Sequence, residues 1–264
     1  MPALATNLLA TASGGVVGLV LGLVGGGGSI LAVPLLVYLV DVSPPHVAIG
    51  TSALAVSGSA FTNLLTHARA GNVKWRCAAV FAAAGTIGAL LGAELAKALD
   101  GEKLLLLFGL LMILVGLAMF RRRDGSGDPS VRLTADTVRE LLPLLVGIGF
   151  VVGVLSGFFG IGGGFLIVPG LMFATGMPLT FAIGTSLVAV AAFGAATAAS
   201  YAASGLIDWK IAALFILGGV MGGAIGVALG RVLSQRKRAL SLLFASLVVT
   251  VGVYVIARGI IALA

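Results

Sequence analysis

GGGGSILAVPLL at positions 25–36 returns as GIGGGFLIVPGL at 160–171, and AIGTSALAV at 48–56 returns as AIGTSLVAV at 182–190. The spacing between copies is nearly constant, 135 residues for the prolines and 134 for the second block. The flanks keep step: Gly71 and Trp75 reappear as Gly205 and Trp209, and Gly88 and Gly92 as Gly222 and Gly226. A duplicated apolar unit interrupted by glycine is the pattern of a secondary transporter whose site lies between two repeats.

Working outward, the chain of 264 residues is 59% hydrophobic and 9% charged. An ordinary soluble domain carries roughly 25% charged residues, so a soluble fold is excluded. Apolar stretches approach or exceed the ~20 residues that span hydrocarbon. They are Leu8–Val24, His46–Ala68, Ala78–Ala96, Leu104–Phe120, Leu141–Gly160, Leu179–Tyr201, Ile211–Gly230 and Ala239–Ala257. Segments 30–40 and 165–175 are too short to cross alone and read as half-helices, tolerated only where protein or water satisfies the broken backbone. The expected fold is an all-α polytopic membrane protein of about 8–10 membrane segments, in two inverted helical repeats with a glycine-interrupted helix in each.

The polar stretch 121–140, opening RRRDGSGDPS, is a solvated linker. It divides a first repeat, 1–120, from a second, 141–264. If the halves are inverted, loops 69–76, 121–140 and 231–238 share a side with 12 basic residues, against 4 on the other. Parallel halves would split them 10 to 6. The positive-inside rule therefore favours inversion and places 121–140 in the cytoplasm, at the cell inner membrane. The net charge of +7 belongs to loops that meet lipid headgroups, so nucleic acid is not an expected partner. Trp75 and Trp209 begin helices as interfacial anchors.

Gly25, Gly26, Gly27, Gly28 and Ser29, with Gly160, Gly162, Gly163 and Gly164, open the chain and bare amide N–H groups. If the short segments that follow are helical, their N-termini make an anion seat from orphan donors and the helix dipole. Close helix packing is the other reading of such glycines; the matched Val33-Pro34 and Val168-Pro169 favour interruption, because proline frees a carbonyl. The hydroxyls of Thr51, Ser52, Thr185 and Ser186 can donate to an anion or bond back to the preceding turn. Asn63 matches Thr197 and lines a path or bridges helices. His67 and Arg69 fit a gate or a proton-coupling pair, or an interfacial pair snorkelling to headgroups; Tyr201 replaces His67 in the second half.

Asp41, Glu94, Asp100, Glu102 and Asp208 all fall at or near span boundaries. A path without carboxylates agrees with an anion as substrate. Cys77 is the one cysteine, so no disulfide or thiolate metal site is expected. No cofactor and no metal are implied. His46 and His67 match no catalytic spacing, and Gly160-x-Gly162 lacks the strand and acidic residue of a dinucleotide loop. An enzyme is not expected.

Glycine clusters followed by Val-Pro, each trailed by AIGTS and a Gly-(x)3-Trp boundary, resemble the TauE/SafE sulfite exporter family, also called the TSUP permeases. The likeness covers nearly the whole chain. It implies an inner-membrane permease for a small sulfur-containing or organic anion such as sulfite, sulfate or a sulfonate, held between the repeats. Ser29 departs from its partner Gly164. A negative interior drives a monovalent anion outward by about 2.3 kcal/mol per 100 mV, so export needs no coupling ion. Three alternatives stay open: a proton-coupled importer of sulfate or sulfonate, a cation or drug transporter, and a membrane subunit without its own path.

Overall fold

The computed structural model describes residues 3–24, 26–121, 128, 131, 133–134, 137–160, 162, 164–232 and 237–263. Gly25, Gly163 and most of the expected linker 121–140 lie outside the described residues. Ten helices run through the rest: α1 (Ala3–Val24), α2 (Gly28–Leu39), α3 (Pro45–Arg69), α4 (Trp75–Lys97), α5 (Gly101–Arg121), α6 (Val138–Phe159), α7 (Gly164–Thr175), α8 (Leu179–Ala203), α9 (Trp209–Val232) and α10 (Lys237–Leu263). Seven are long and apolar enough to cross a membrane, and shorter apolar stretches occupy Gly28–Leu39, Gly164–Thr175 and Ala245–Ile261. The exterior is apolar as well as the core: Leu114, Met221 and Phe173 are all exposed. This is an all-α polytopic membrane protein.

The expected half-helices are both present but wound differently. α7 is an ordinary α-helix with Pro169 inside it. The first short segment begins as a tight 3₁₀ turn at Gly26–Leu31 and widens to a π turn at Leu35–Leu39 just after Pro34. Proline offers no N–H to its preceding turn, so the backbone there is free to rewind.

Small residues let the long helices touch backbone to backbone. A β-carbon on Gly18 would collide with Gly219 O, and one on Gly153 with Gly85 O. Gly14 meets Phe215 as Gly149 meets Phe81, and Gly226 meets Leu19 O as Gly92 meets Val154 O. Each pair is the other with the halves exchanged. Residue numbers rise together along both contacts, so α1 runs parallel to α9 and α4 parallel to α6.

The helices carrying the repeated blocks run the other way to each other. Ser57 lies against Ala191, Ala53 against Gly194 and Gly50 against Tyr201, so α3 and α8 are antiparallel. Gly109 meets Gly252, Gly116 meets Ala245, and Gly259 meets Leu106, so α5 and α10 are antiparallel too. Tracing the chain, the α3–α4 turn, the start of α6 and the α9–α10 turn share one face, here the linker face. The starts of α3, α5 and α9 share the opposite face, where His46 Nε2 lies 3.1 Å from Leu99 O.

Candidate site at the two helix breaks

α6 ends at Gly160, which takes the left-handed φ of +65° and returns its N–H to Gly157 O. Gly162 also has φ +65°, and a β-carbon there would lie 3.0 Å from Val56 Cγ1 and 3.3 Å from Val190 Cγ1. Both the backbone angle and the space explain why glycine stands at this position. The second break thus passes between the middles of α3 and α8. Val56 and Val190 hold equivalent places in the repeated block, and Ser57 Oγ donates to its own counterpart, Ala191 O, at 2.8 Å.

The first break folds back on α1: a β-carbon on Gly28 would lie 2.6 Å from Leu21 N and 2.9 Å from Val17 O. Its turn, Gly26–Leu31, packs against α7 and α8. The two interruptions therefore adjoin inside the protein. Gly28, Ser29, Gly160, Gly162 and Gly164 are all buried. The first-turn N–H groups of α7 have no partner within their own helix.

Hydroxyls hold the surrounding backbone in place. Ser52 Oγ is 2.8 Å from Ile49 O and 2.9 Å from Gly160 O; its one proton serves either, so it ties the second break to α3. Ser186 Oγ donates to Ile183 O at 2.7 Å, the same bond to its own helix. Thr51 Oγ1 accepts the Asp208 N–H at 3.0 Å, and Thr185 Oγ1 accepts the Lys74 N–H at 3.0 Å. Those bonds pin the entries of α9 and α4, so the two threonines sit toward opposite faces while the glycine breaks sit together. Each keeps its own proton to donate.

The remaining polar candidates are spread along the axis of the bundle. Asn63, 4% exposed, lays its amide on Gly223 of α9, and its Nδ2 has no hydrogen-bond partner. His67 and the exposed Arg69 lie near the linker-face end of α3. Tyr201 is fully buried toward the opposite face, its ring packed on Gly50 and its hydroxyl without a partner.

One polar network had no motif to announce it. Lys97 Nζ pairs with Glu94 at 2.8 Å and crosses from α4 to α8, donating to Ser204 Oγ at 3.0 Å and Ser200 O at 3.3 Å. Ser200 Oγ closes the loop on Glu94 at 2.8 Å. Lys97 Nζ also stands 5.9 Å from the centre of the Tyr201 ring. The serine-rich end of α8 facing a Lys-Glu pair at i,i+3 is the signal that points to it. Among the described residues no group of three His, Cys, Asp or Glu side chains comes together as a metal site.

The family model described as "Sulfite exporter TauE/SafE" matches residues 10–255. A "Probable membrane transporter protein" of Xylella fastidiosa (strain 9a5c) is 50% identical over 247 residues, 94% of each chain. "Probable membrane transporter protein YunE" of Bacillus subtilis is 27% identical over 272 residues, 93% of this chain and 97% of that one. A "Probable membrane transporter protein" of Haemophilus influenzae is 30% identical over 187 residues, 68% of this chain and 67% of that one. No solved structure matches.

Proposed function

We propose that this chain, which belongs to the TauE/SafE sulfite exporter family, exports sulfite or a related small sulfur-containing anion across the cell inner membrane. The chain is a multi-pass membrane transporter and not an enzyme. The anion is held where the two helix breaks meet, by main-chain N–H groups at Gly26–Ser29, Gly162 and Gly164, with Ser52 beside the second break, its counterpart Ser186 in α8, Thr51 and Thr185 further toward the two faces, and Asn63 lining the path. The observation that carries this reading is the packing of the turn Gly26–Leu31 against α7. That packing supports a meeting of the starts of the two short helices, where orphan donors and converging positive dipole ends favour negative charge.

Two repeats, 1–120 and 141–264, joined by a cytoplasmic linker at 121–140, form the machine in this account. The antiparallel pairs α3/α8 and α5/α10 support inverted repeats, because sequence-equivalent helices crossing in opposite senses require it. The shared basic face supports a cytoplasmic linker by the positive-inside rule. Rocking of one half on the other then exposes the seat to each side in turn. His67 and Arg69 stand at the cytoplasmic mouth, and Tyr201 closes the other.

No carboxylate lies between the breaks and either mouth in this reading, so the membrane potential itself drives a monovalent anion out, by about 2.3 kcal/mol per 100 mV. The test is flux in proteoliposomes with imposed potential and pH gradients. Sulfite efflux that accelerates with an inside-negative potential and ignores the proton gradient is expected. Uptake that requires an inward proton gradient would replace export with proton-coupled import.

A further inference from the structure

We propose that Ser156 is a further ligand of the transported oxyanion, donating its hydroxyl proton from the last turn of α6 to an anion seated at the start of α7. The inference rests on the anion-transport reading above and adds to it a residue that no repeated motif contains. Ser156 is 0% exposed, and its Oγ has no hydrogen-bond partner.

Two other buried helical hydroxyls, Ser13 and Thr197, also lack a partner, but neither lies in a turn next to a helix break. Ser52, Ser59, Thr86, Thr175 and Ser186 all return their hydroxyls to a carbonyl three or four residues back, the default for hydroxyls inside apolar helices. The Ser156 hydroxyl makes no such bond. A buried donor left unmade is destabilising, and such a group in a native fold calls for a partner.

The face of α6 shows where that partner lies. Ile148 and Val152 touch α7 at Gly170, where a β-carbon would lie 3.1 and 3.5 Å from their methyl groups. α6 and α7 form a hairpin, so each later turn of α6 meets an earlier turn of α7. Ser156, one turn past Val152 on that face, comes opposite the first turn of α7. Gly160, one turn further on, gives its N–H back to Ser156 O. Here the Ser156 hydroxyl and the orphan N–H groups of α7 are both donors. The missing group is therefore an acceptor with several lone pairs and no proton to give, which describes a sulfur oxyanion.

The halves differ at this point. The residue equivalent to Ser156 is Leu21, which packs beside Gly28 and cannot donate, while the residue equivalent to Gly164 is Ser29. Ser156 thus makes the second break the more polar partner on the α6 side.

The experiment compares the full-length wild type, Ser156→Ala and Ser156→Cys in detergent, by thermal unfolding with and without potassium salts of sulfite, sulfate, a short sulfonate and chloride, and with sodium chloride. Losing an unmade buried hydroxyl raises the unfolding midpoint of Ser156→Ala without ligand. Losing a charge-assisted donor raises the sulfite concentration for half-protection by roughly 10- to 100-fold, with Ser156→Cys in between. The opposite signs separate a ligand from a packing residue. Wild type protected and Ser156→Ala protected equally overturns this proposal and leaves the anion-transport reading standing. Wild type protected by none of the oxyanions overturns both. Protection of wild type by sodium chloride but not potassium chloride, lost in Ser156→Ala, would assign the hydroxyl to a cation and overturn this proposal.

Discussion

The interface of α3 with α9 and that of α8 with α4 are built on the same backbone plan and filled with different chemistry. Ser59 lies over Gly219 where Phe193 lies over Gly85. Asn63 corresponds to Thr197 and His67 to Tyr201. The first interface, running to the linker face, is lined with a hydroxyl, an amide and an imidazole. The second, running to the opposite face, holds Phe193 stacked 6.2 Å from Phe81 and ends in the buried Tyr201 beneath the Lys97 clasp. The matching positions at the linker face are Thr66, Ala70, Ala228 and Arg231, so a basic residue and one hydroxyl recur there while the carboxylate and the Ser204 hydroxyl do not. The contacts that fix helix positions match between the halves, and the side chains between these helices differ. Under the proposed cycle, the structure is shut toward the opposite face and polar toward the linker face.

Breaking the shared plan gives the largest effect. Gly153→Leu and Gly18→Leu each drive a side chain into a facing backbone, at or beyond the upper end of the roughly 1–3 kcal/mol that overpacking costs. Both variants are expected to lose folded protein in size-exclusion profiles, whereas Gly147→Ala, with nothing within 4 Å of its β-carbon, keeps it. Retention of fold by Gly153→Leu would refute the backbone contact.

The unlike fillings come next. Phe193→Ala empties a fully buried site and costs about 3–5 kcal/mol. Ser59→Ala loses only a bond to its own helix and costs less than about 1 kcal/mol. Denaturant titration in micelles measures both, and equal losses would mean the two interfaces are not differently packed.

A smaller and equal loss tests the symmetry itself. Thr51→Val and Thr185→Val each remove the acceptor for one part-buried N–H, at less than the roughly 1–3 kcal/mol of a fully buried donor. Thermal midpoints that fall by the same amount bear out the exchange of halves, and a fall in one alone breaks it. Smallest in stability is Lys97→Ala, below about 1 kcal/mol because Glu94 is 64% exposed and such pairs are weak in water. Its signature is kinetic: sulfite exchange through proteoliposomes speeds up if the clasp holds that mouth shut, and stays unchanged if it does not.

Much of this was legible in the residues. Glycine clusters, prolines and apolar lengths located the long helices to within a few residues, except that α10 runs on from Ala257 to Leu263. α1 starts earlier than the apolar run from Leu8, because Ala3–Asn7 are good enough helix formers to extend it. The different winding of the two short segments was hidden, since Pro34 and Pro169 are equivalent and only the tertiary setting selects a π turn for one. The roles of Thr51 and Thr185 were half visible. Their matched positions marked them, but their partners Asp208 and Lys74 lie 157 and 111 residues away, a pairing no local pattern encodes. Ser156 was invisible to a search for repeated residues because its distinction is to differ from Leu21.

A structure determined with selenite bound would locate the anion between the two breaks or elsewhere, since selenium's anomalous signal reports position without a choice of atoms. The account predicts one peak within hydrogen-bonding distance of both the Gly26–Leu31 turn and the start of α7. A peak on one break alone, a peak only at Lys97, or none at saturating selenite would contradict it.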